Sequence, residues 1–416
     1  MVEEEIFMIN KNFRPYIVIF SIATVIYGLI YLLSADFCIT APNYYNTYSI
    51  QATSWLAGRL DVDNVPWLEL AEFQGRYYVC FAPFPSIVML PFVLIFGTNT
   101  PDHAIALAIA LLSLLYAYKL AYKLLGNQNH AVLLSLFLIL GTNYLHISLW
   151  GAVWYIAQNM AFLLTLVAFY YAMTDNKNSS CISLFAMCAA MGCRPFNIVY
   201  FPVLLYMIYK REGISLTGFI KKFIVYSIPA IILGSFFMWL NYARFGNIFE
   251  FGRNYLAEFV NDPHGQFHTG RILENLNVML FGFDITEFPM FQGFAFWIAS
   301  PIVVSYVVYL TLYIYKSRAG QLEGNKLRQK DNYIIYCLLI SAIILLIAIS
   351  MHRTLGGHQF GSRYTVDTLA AFYIGFLLII KRLSPNKTIY INLAPMLFGL
   401  TLNMYGTITF LSFYFK

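Results

Sequence analysis

Charge is what this chain has least of. Only 11% of its 416 residues are Asp, Glu, Lys or Arg, against about 25% in soluble globular domains, which excludes a soluble enzyme and leaves no basic stripe for nucleic acid. The signatures of soluble catalysis are missing too: there is no P-loop, no GxGxxG after a strand, no HExxH and no GxSxG. The six cysteines (38, 80, 181, 188, 193, 337) show neither CxxC nor metal-type spacing. They read as small apolar residues in helices, with a Cys38–Cys80 bridge left open. His264 and His268 stand four apart, but "NDPHGQFHTG" has Pro and Gly where a helix is needed to bring them together. The expectation is no metal and no cofactor.

In place of charge the chain has 60% hydrophobic and 18% aromatic residues, with a mean hydropathy of +0.65. Several windows reach the roughly 20 apolar residues that cross about 30 Å of hydrocarbon. The apolar runs lie at 16–33, 104–122, 131–146, 154–173, 181–192, 197–209, 223–241, 294–315, 333–351, 368–380 and 389–415. The predicted fold is an all-α polytopic membrane protein of about 11 spans, with a range of 9 to 12. One further stretch, "PFPSIVMLPFVLIFG" (83–97), is short and holds three prolines, so it reads as re-entrant or juxtamembrane. The amino terminus runs into the first span with no small-residue cleavage site, as a signal anchor does. The whole of 1–416 reads as one transmembrane domain.

Orientation follows from the basic residues. With the amino terminus in the cytoplasm, 17 of the 26 Lys and Arg fall on inner segments, the positive-inside bias. The carboxyl terminus then lies outside. Apart from the terminal Lys416, every outer basic residue is arginine: Arg59, Arg76, Arg194, Arg244, Arg253, Arg271, Arg353 and Arg363. Lysine suffices for a solvated charge, whereas the guanidinium fork suits bidentate binding of phosphate or carboxylate. The outer face reads as built to grip an anion, with pairing to the outer carboxylates as the rival reading.

Two outer loops, 34–82 and 242–293, are long and rich in aromatics, as surfaces that pack against sugar rings or headgroups are. In the first, "YNTYSIQATSWLAGRL" has the apolar spacing of an interfacial helix. Carboxylates near the start, arginines throughout and glycine-rich aromatic segments suit transfer chemistry on an anionic lipid. A sugar linked through phosphate has a leaving group that arginines stabilise without a metal. The acceptor hydroxyl needs one carboxylate to take its proton.

Four stretches in order, "EFQGRYYVCFAPFPSIVMLPFVLIFG" (72–97), "GCRPFNIVYFP" (192–202), "NYARFGNIFEFGRNY" (241–255) and "GGHQFGSRYTVDTLAAF" (356–372), resemble the bacterial GT-C membrane glycosyltransferases. Among these the chain is similar to dolichyl-phosphate-mannose and aminoarabinose transferase-like proteins and to the O-antigen serotype-converting glucosyltransferases. The resemblance implies an undecaprenyl-phosphate sugar donor and inverting transfer of a hexose, glucose being the expected one, to a lipid-linked glycan such as O-antigen lipopolysaccharide. It places the active site on the periplasmic side of the bacterial inner membrane, with a flippase and a donor-synthesising glycosyltransferase acting upstream.

For the catalytic carboxylate acting as base, the family's first outer loop points to Asp36, with Glu69 and Glu72 as the next candidates. Where the aminoarabinose-transferase-like pattern has an acidic pair, this chain reads "APNYYNTY", with Asn43 and Tyr44. For substrate binding the candidates are Arg194, at the outer turn of a short helix pair, and Arg363, in "GGHQFGSRY" where glycines let backbone approach a ligand. Arg244, Arg253, Arg353, Arg76 and Tyr77 complete the set. Helix capping competes for Arg194, and an i to i+4 pair with Asp367 competes for Arg363. Two other classes stay open: an O-antigen polymerase using lipid-diphosphate glycans, and a transporter. The near absence of ionisable residues inside the spans argues against transport.

Overall fold

A computed structural model of the chain describes residues 2–34, 36–283, 293–321, 326–383 and 388–415. In a solvent that offers the backbone no partners, helices satisfy every N–H and C=O within one segment, and the eleven apolar runs fall mainly on helices, with 131–146 and 294–315 each broken between two of them. The first is α1 (Val2–Leu33). The connection after it holds α2 (Thr47–Leu56), a hairpin of β1 (Leu70–Phe73) and β2 (Arg76–Val79), and α3 (Phe84–Phe96). Then come α4 (Asp102–Leu125), α5 (Gln128–Leu140), the single turn α6 (Tyr144–Ile147) and α7 (Val153–Ala172). Next are α8 (Ser179–Met191), α9 (Phe201–Glu212) and α10 (Leu216–Phe245). The second long connection carries α11 (Ala257–Val260), α12 (Ile272–Phe281) and α13 (Phe296–Ala299). The chain closes with α14 (Ile302–Arg318), α15 (Lys326–Ser350), α16 (Val366–Leu383) and α17 (Leu393–Tyr414).

Among the described residues, six helices are long and apolar enough to cross a membrane: the spans Phe13–Leu33, Asp102–Leu125, Val153–Ala172, Leu216–Phe245, Asn332–Ser350 and Ile389–Tyr414. Others are shorter. The 13 residues of α3, α5 and α8 make about 20 Å each at 1.5 Å per residue, short of the hydrocarbon thickness. α16, of 18 residues, is interior. Every residue from Val366 to Ile380 is buried, with α4, α7, α14 and α15 packed around it, and a helix apolar on all sides belongs in such a place.

Successive long helices carry the chain from one end of the bundle to the other. The ends of α1 and α17 come out together, where the Phe37 and Phe415 rings meet at 5.3 Å. The two long connections, the α8–α9 turn and the segment before α16 gather at that same end. At the opposite end Arg211 donates to the last carbonyls of α7, Tyr171 at 2.8 Å and Thr174 at 2.7 Å.

The interfacial helix read in "YNTYSIQATSWL" is α2. The hairpin is new. Its four-residue strands pair Leu70 with Val79 and Phe73 with Arg76, around a turn in which Gln74 and Gly75 both have positive φ, the conformation that closes a two-residue hairpin. Arg244 binds the hairpin to the end of α10: its Nη1 donates to the Val79 carbonyl at 2.8 Å and its Nη2 to Asn241 Oδ1 at 2.9 Å. All six cysteines are free thiols, so the Cys38–Cys80 bridge does not form; Cys38 is exposed while Cys80 is buried under the hairpin.

Candidate active site

The turn between α8 and α9 is built around Gly192, which has the Phe237 ring where a side chain would go. Pro195 then starts a 3-10 turn, and Arg194 before it is extended. This aims Arg194 across the bundle at Asp367 in the first turn of α16, where a carboxylate also favours the helix dipole. Arg194 Nη2 lies 2.6 Å and Nε 3.1 Å from Asp367 Oδ2. Gln158 of α7 donates to Asp367 Oδ1 at 2.8 Å and to the Arg363 carbonyl at 2.7 Å. Arg194 is therefore neither a helix cap nor free: it is half of a cross-bundle ion pair.

That pairing takes Asp367 away from Arg363, so the i to i+4 bridge read in the sequence is not made. Arg363 Nε and Nη2 donate instead to the Gly356 carbonyl at 2.9 and 2.7 Å. Gly356 has a φ of +125°, and a Cβ there would stand 3.0 Å from Arg363 Nε; only glycine allows this approach. The third nitrogen, Nη1, is buried with no hydrogen-bond partner among the described residues, and none of the ion pairs found among them involves Arg363. A buried donor without a partner costs about 1–3 kcal/mol.

Arg363 stands where two cavities meet. The first, of about 260 Å³, is also lined by Tyr48, Arg194 and Arg253; the second, of about 250 Å³, by Glu69, Glu258, Trp150 and Trp154, with Trp154, Arg253, His352 and Tyr364 on the walls of both. Tyr364 carries two cations against its ring, Arg194 at 5.0 Å and Arg363 at 4.7 Å. Arg253 Nη1 pairs with Glu69 Oε2 at 3.2 Å and lies over the Phe81 ring at 4.4 Å. The Tyr48 hydroxyl, at the start of α2, is a second buried group with no hydrogen-bond partner among the described residues. Burial holds its phenol well above the ordinary value, so it stays an O–H donor. His352 is pushed down to about 3 by burial, with Arg253, Arg194 and Arg363 adding to the fall. It is a neutral ring at the edge of a cationic cluster.

The second cavity sets two carboxylates, Glu69 and Glu258, beside aromatic faces. Glu258 sits on its rim in α11, and its carboxyl is raised above the usual range by burial and by the charge of Glu69. Glu250, on the first cavity, spends both oxygens on Gly252 N at 2.6 Å and Asn254 Nδ2 at 2.5 Å.

Of the residues singled out in the sequence, the structure brings Arg194, Arg253, Arg363 and Glu69 to these cavities. Arg353 is next to them, paired with Asp262 at 2.8 Å and Glu258 at 3.7 Å. The others lie elsewhere. Asp36 is exposed in a turn with a φ of +55°, Glu72 and Arg76 are exposed on the hairpin, Tyr77 faces Val62, and Arg244 is used up on backbone and Asn241. Tyr48, Glu258 and His352 are among the lining residues that escaped the sequence reading. A signal existed for His352, a polar residue directly after the run 333–351, and none for Glu258 among the outer carboxylates. Asn43, where the family pattern has acid, does hold a carboxylate, but one from α4: Asp102 accepts from Asn43 N at 3.0 Å and Ser49 Oγ at 2.8 Å.

No family model and no curated relative matches the sequence. Solved structures do. ArnT from Cupriavidus metallidurans in the apo state superposes with a TM-score of 0.53 at 12% identity, over 92% of this chain and 62% of that one. ArnT bound to undecaprenyl phosphate gives 0.50 at 13%, over 91% and 62%. The apo oligosaccharyltransferase of Archaeoglobus fulgidus gives 0.50 at 13%, over 95% and 56%. What is shared is the fold. It is the polytopic all-α GT-C architecture expected from the four motifs, and the chain spans about three fifths of the length of these relatives.

Proposed function

We propose that this protein is an inverting GT-C membrane glycosyltransferase that takes a sugar from a polyprenyl-phosphate donor. The observation that carries the reading is Arg363: a buried guanidinium with no matching carboxylate and one donor nitrogen unpartnered among the described residues, at the junction of two cavities. A sugar-linked phosphodiester brings the one negative charge that balances it. Arg194 and Arg253, oriented by Asp367 and Glu69, stand ready for the second charge that appears on the phosphate as the sugar leaves. Tyr48 offers a neutral O–H to the same group.

The reaction balances on these residues. The acceptor hydroxyl oxygen bonds to the anomeric carbon while the bond from that carbon to the phosphate oxygen breaks, and polyprenyl phosphate departs with the electron pair. The hydroxyl proton goes to a carboxylate of the second cavity. Glu69 is held by Arg253 at 3.2 Å, whereas Glu258 has a looser contact to Arg353 at 3.7 Å and a carboxyl raised by burial, which leaves Glu258 as base. The finer reading follows the family resemblance: a hexose, glucose, moves from undecaprenyl phosphate to a lipid-linked glycan such as O-antigen outside the bacterial inner membrane. The ArnT structure with undecaprenyl phosphate on the same fold supports the choice of carrier.

The test is to incubate membranes containing the protein with labelled undecaprenyl-phosphate glucose and follow the label into glycan. Arg363→Gln, Tyr48→Phe and Glu258→Gln are expected to lower transfer, with Asp36→Asn and Glu72→Gln close to wild type. Full activity in Arg363→Gln would overturn the phosphate site.

A further inference from the structure

A line of touching aromatic rings leads from the surface into the second cavity. Trp67 and Tyr44 stack at 4.8 Å with 21° between their planes, and they are 50% and 60% exposed. Tyr44 meets Tyr45 at 5.3 Å, and Tyr45 meets Trp154 at 5.0 Å. Tyr45 and Trp154 are half-buried and line the cavity that holds Glu258.

The track is held rigidly at its middle. Asn43 N donates to Asp102, Tyr45 N donates to Asn43 Oδ1 at 2.7 Å, and Val153 N at the start of α7 donates to the Tyr45 carbonyl at 3.0 Å. A membrane-facing belt of tyrosine and tryptophan needs no such fixing, because any ring orientation at the interface serves. A surface that must present flat faces in sequence does need it. Apolar ring faces with polar edges are what pyranose rings stack on, and the carboxylates at the inner end accept from sugar hydroxyls.

We propose that the acceptor is an extended carbohydrate chain, with its terminal sugar in the second cavity at Glu258 and its preceding sugars along Trp154, Tyr45 and the Tyr44–Trp67 pair. The inference rests on the transferase reading above, and it adds to the glycan acceptor its extended length and the rings that hold it. The outer pair, more than one sugar from the reacting hydroxyl, senses chain length and leaves chemistry alone.

The probe is the producing cell's surface glycan, released by mild acid and fractionated by length. It is titrated against the purified full-length protein by tryptophan fluorescence and used as acceptor with labelled undecaprenyl-phosphate glucose. Tyr44→Ala and Trp67→Ala are each expected to raise KM for long fractions about two- to tenfold, the worth of one lost stacking contact. They should leave kcat unchanged and leave the shortest fraction untouched. Equal loss at every length, or no loss at any, would overturn the track and return these rings to membrane anchoring. Wild-type protein that binds none of the fractions, yet still releases glucose from the donor, sinks the glycan acceptor and leaves the transferase standing. Length-dependent binding with no donor cleavage does the reverse.

Discussion

Arg194 and Asp367, 173 residues apart in sequence, form an ion pair of 2.6 Å that fastens the α8–α9 turn to the first turn of α16. The Asp367 side chain is 3% exposed and that of Arg194 20%. Breaking a buried pair by removing one partner costs roughly 3–5 kcal/mol, because the other charge stays buried. The residual exposure of Arg194 puts Asp367→Asn at or below the low end of that range. Thermal unfolding in detergent reads it directly. Because Nε and Nη2 both reach one carboxylate oxygen, Arg194→Lys should lose stability as well; a lysine variant as stable as wild type would show that charge alone matters here.

Arg363 calls for a different outcome. Removing it takes away a group bonded chiefly to one carbonyl, so the loss should fall on function. Arg363→Gln is expected to lower kcat/KM for transfer by about 10²- to 10³-fold, the usual effect of deleting one preorganised donor to a developing charge. Undecaprenyl phosphate should raise the unfolding temperature of wild type and not of the variant. Gly356→Ala is expected to act in the same direction without touching the phosphate, since the new methyl forces strain at a φ of +125° and crowds Arg363 Nε.

How far this was legible in the sequence follows from what decides each feature. Helices in lipid are set by local apolarity, and for that reason the apolar runs from 16–33 to 389–415 fall mainly on helices, two of them broken by a turn. Which runs cross fully and which, like α16, fill the interior depends on packing that no single segment encodes. The hairpin at 70–79 escaped because its four-residue strands carry no alternation. The arginines Arg194, Arg253 and Arg363 stood out by their exclusion of lysine. Their partners did not: the Arg194–Asp367 and Arg253–Glu69 pairs span 173 and 184 residues, whereas the local i to i+4 partner of Arg363 was the wrong one. Asp36 and Glu72 had the right loop but face solvent, which only the path of the backbone decides.

Arg244 separates structure from chemistry among these arginines. Its three hydrogen bonds go to Leu240, Val79 and Asn241, and it lines neither cavity. Arg244→Lys keeps the charge and loses the fork that joins α10 to β2. It is expected to lower the unfolding temperature while leaving donor KM unchanged in the folded fraction. A raised donor KM with normal stability would move Arg244 into the binding set.

Glu258 sets the pH dependence of the proposed reaction. It acts as base only when ionised, and its carboxyl is raised above the ordinary value by burial first and by Glu69 second, against the pull of Arg353 and Arg253. A raised value means that the proton is held to higher pH, so the acid limb of kcat/KM should lie above the roughly 4.3 of an ordinary glutamate. Glu69→Gln removes the repulsive charge and frees Arg253, and both changes favour the ionised form. The limb should therefore move to lower pH in Glu69→Gln, even as donor binding weakens. Glu258→Gln should abolish the limb and cost about 10²- to 10⁴-fold in rate. A limb that stays in place in Glu69→Gln, or survives in Glu258→Gln, assigns the base to another group.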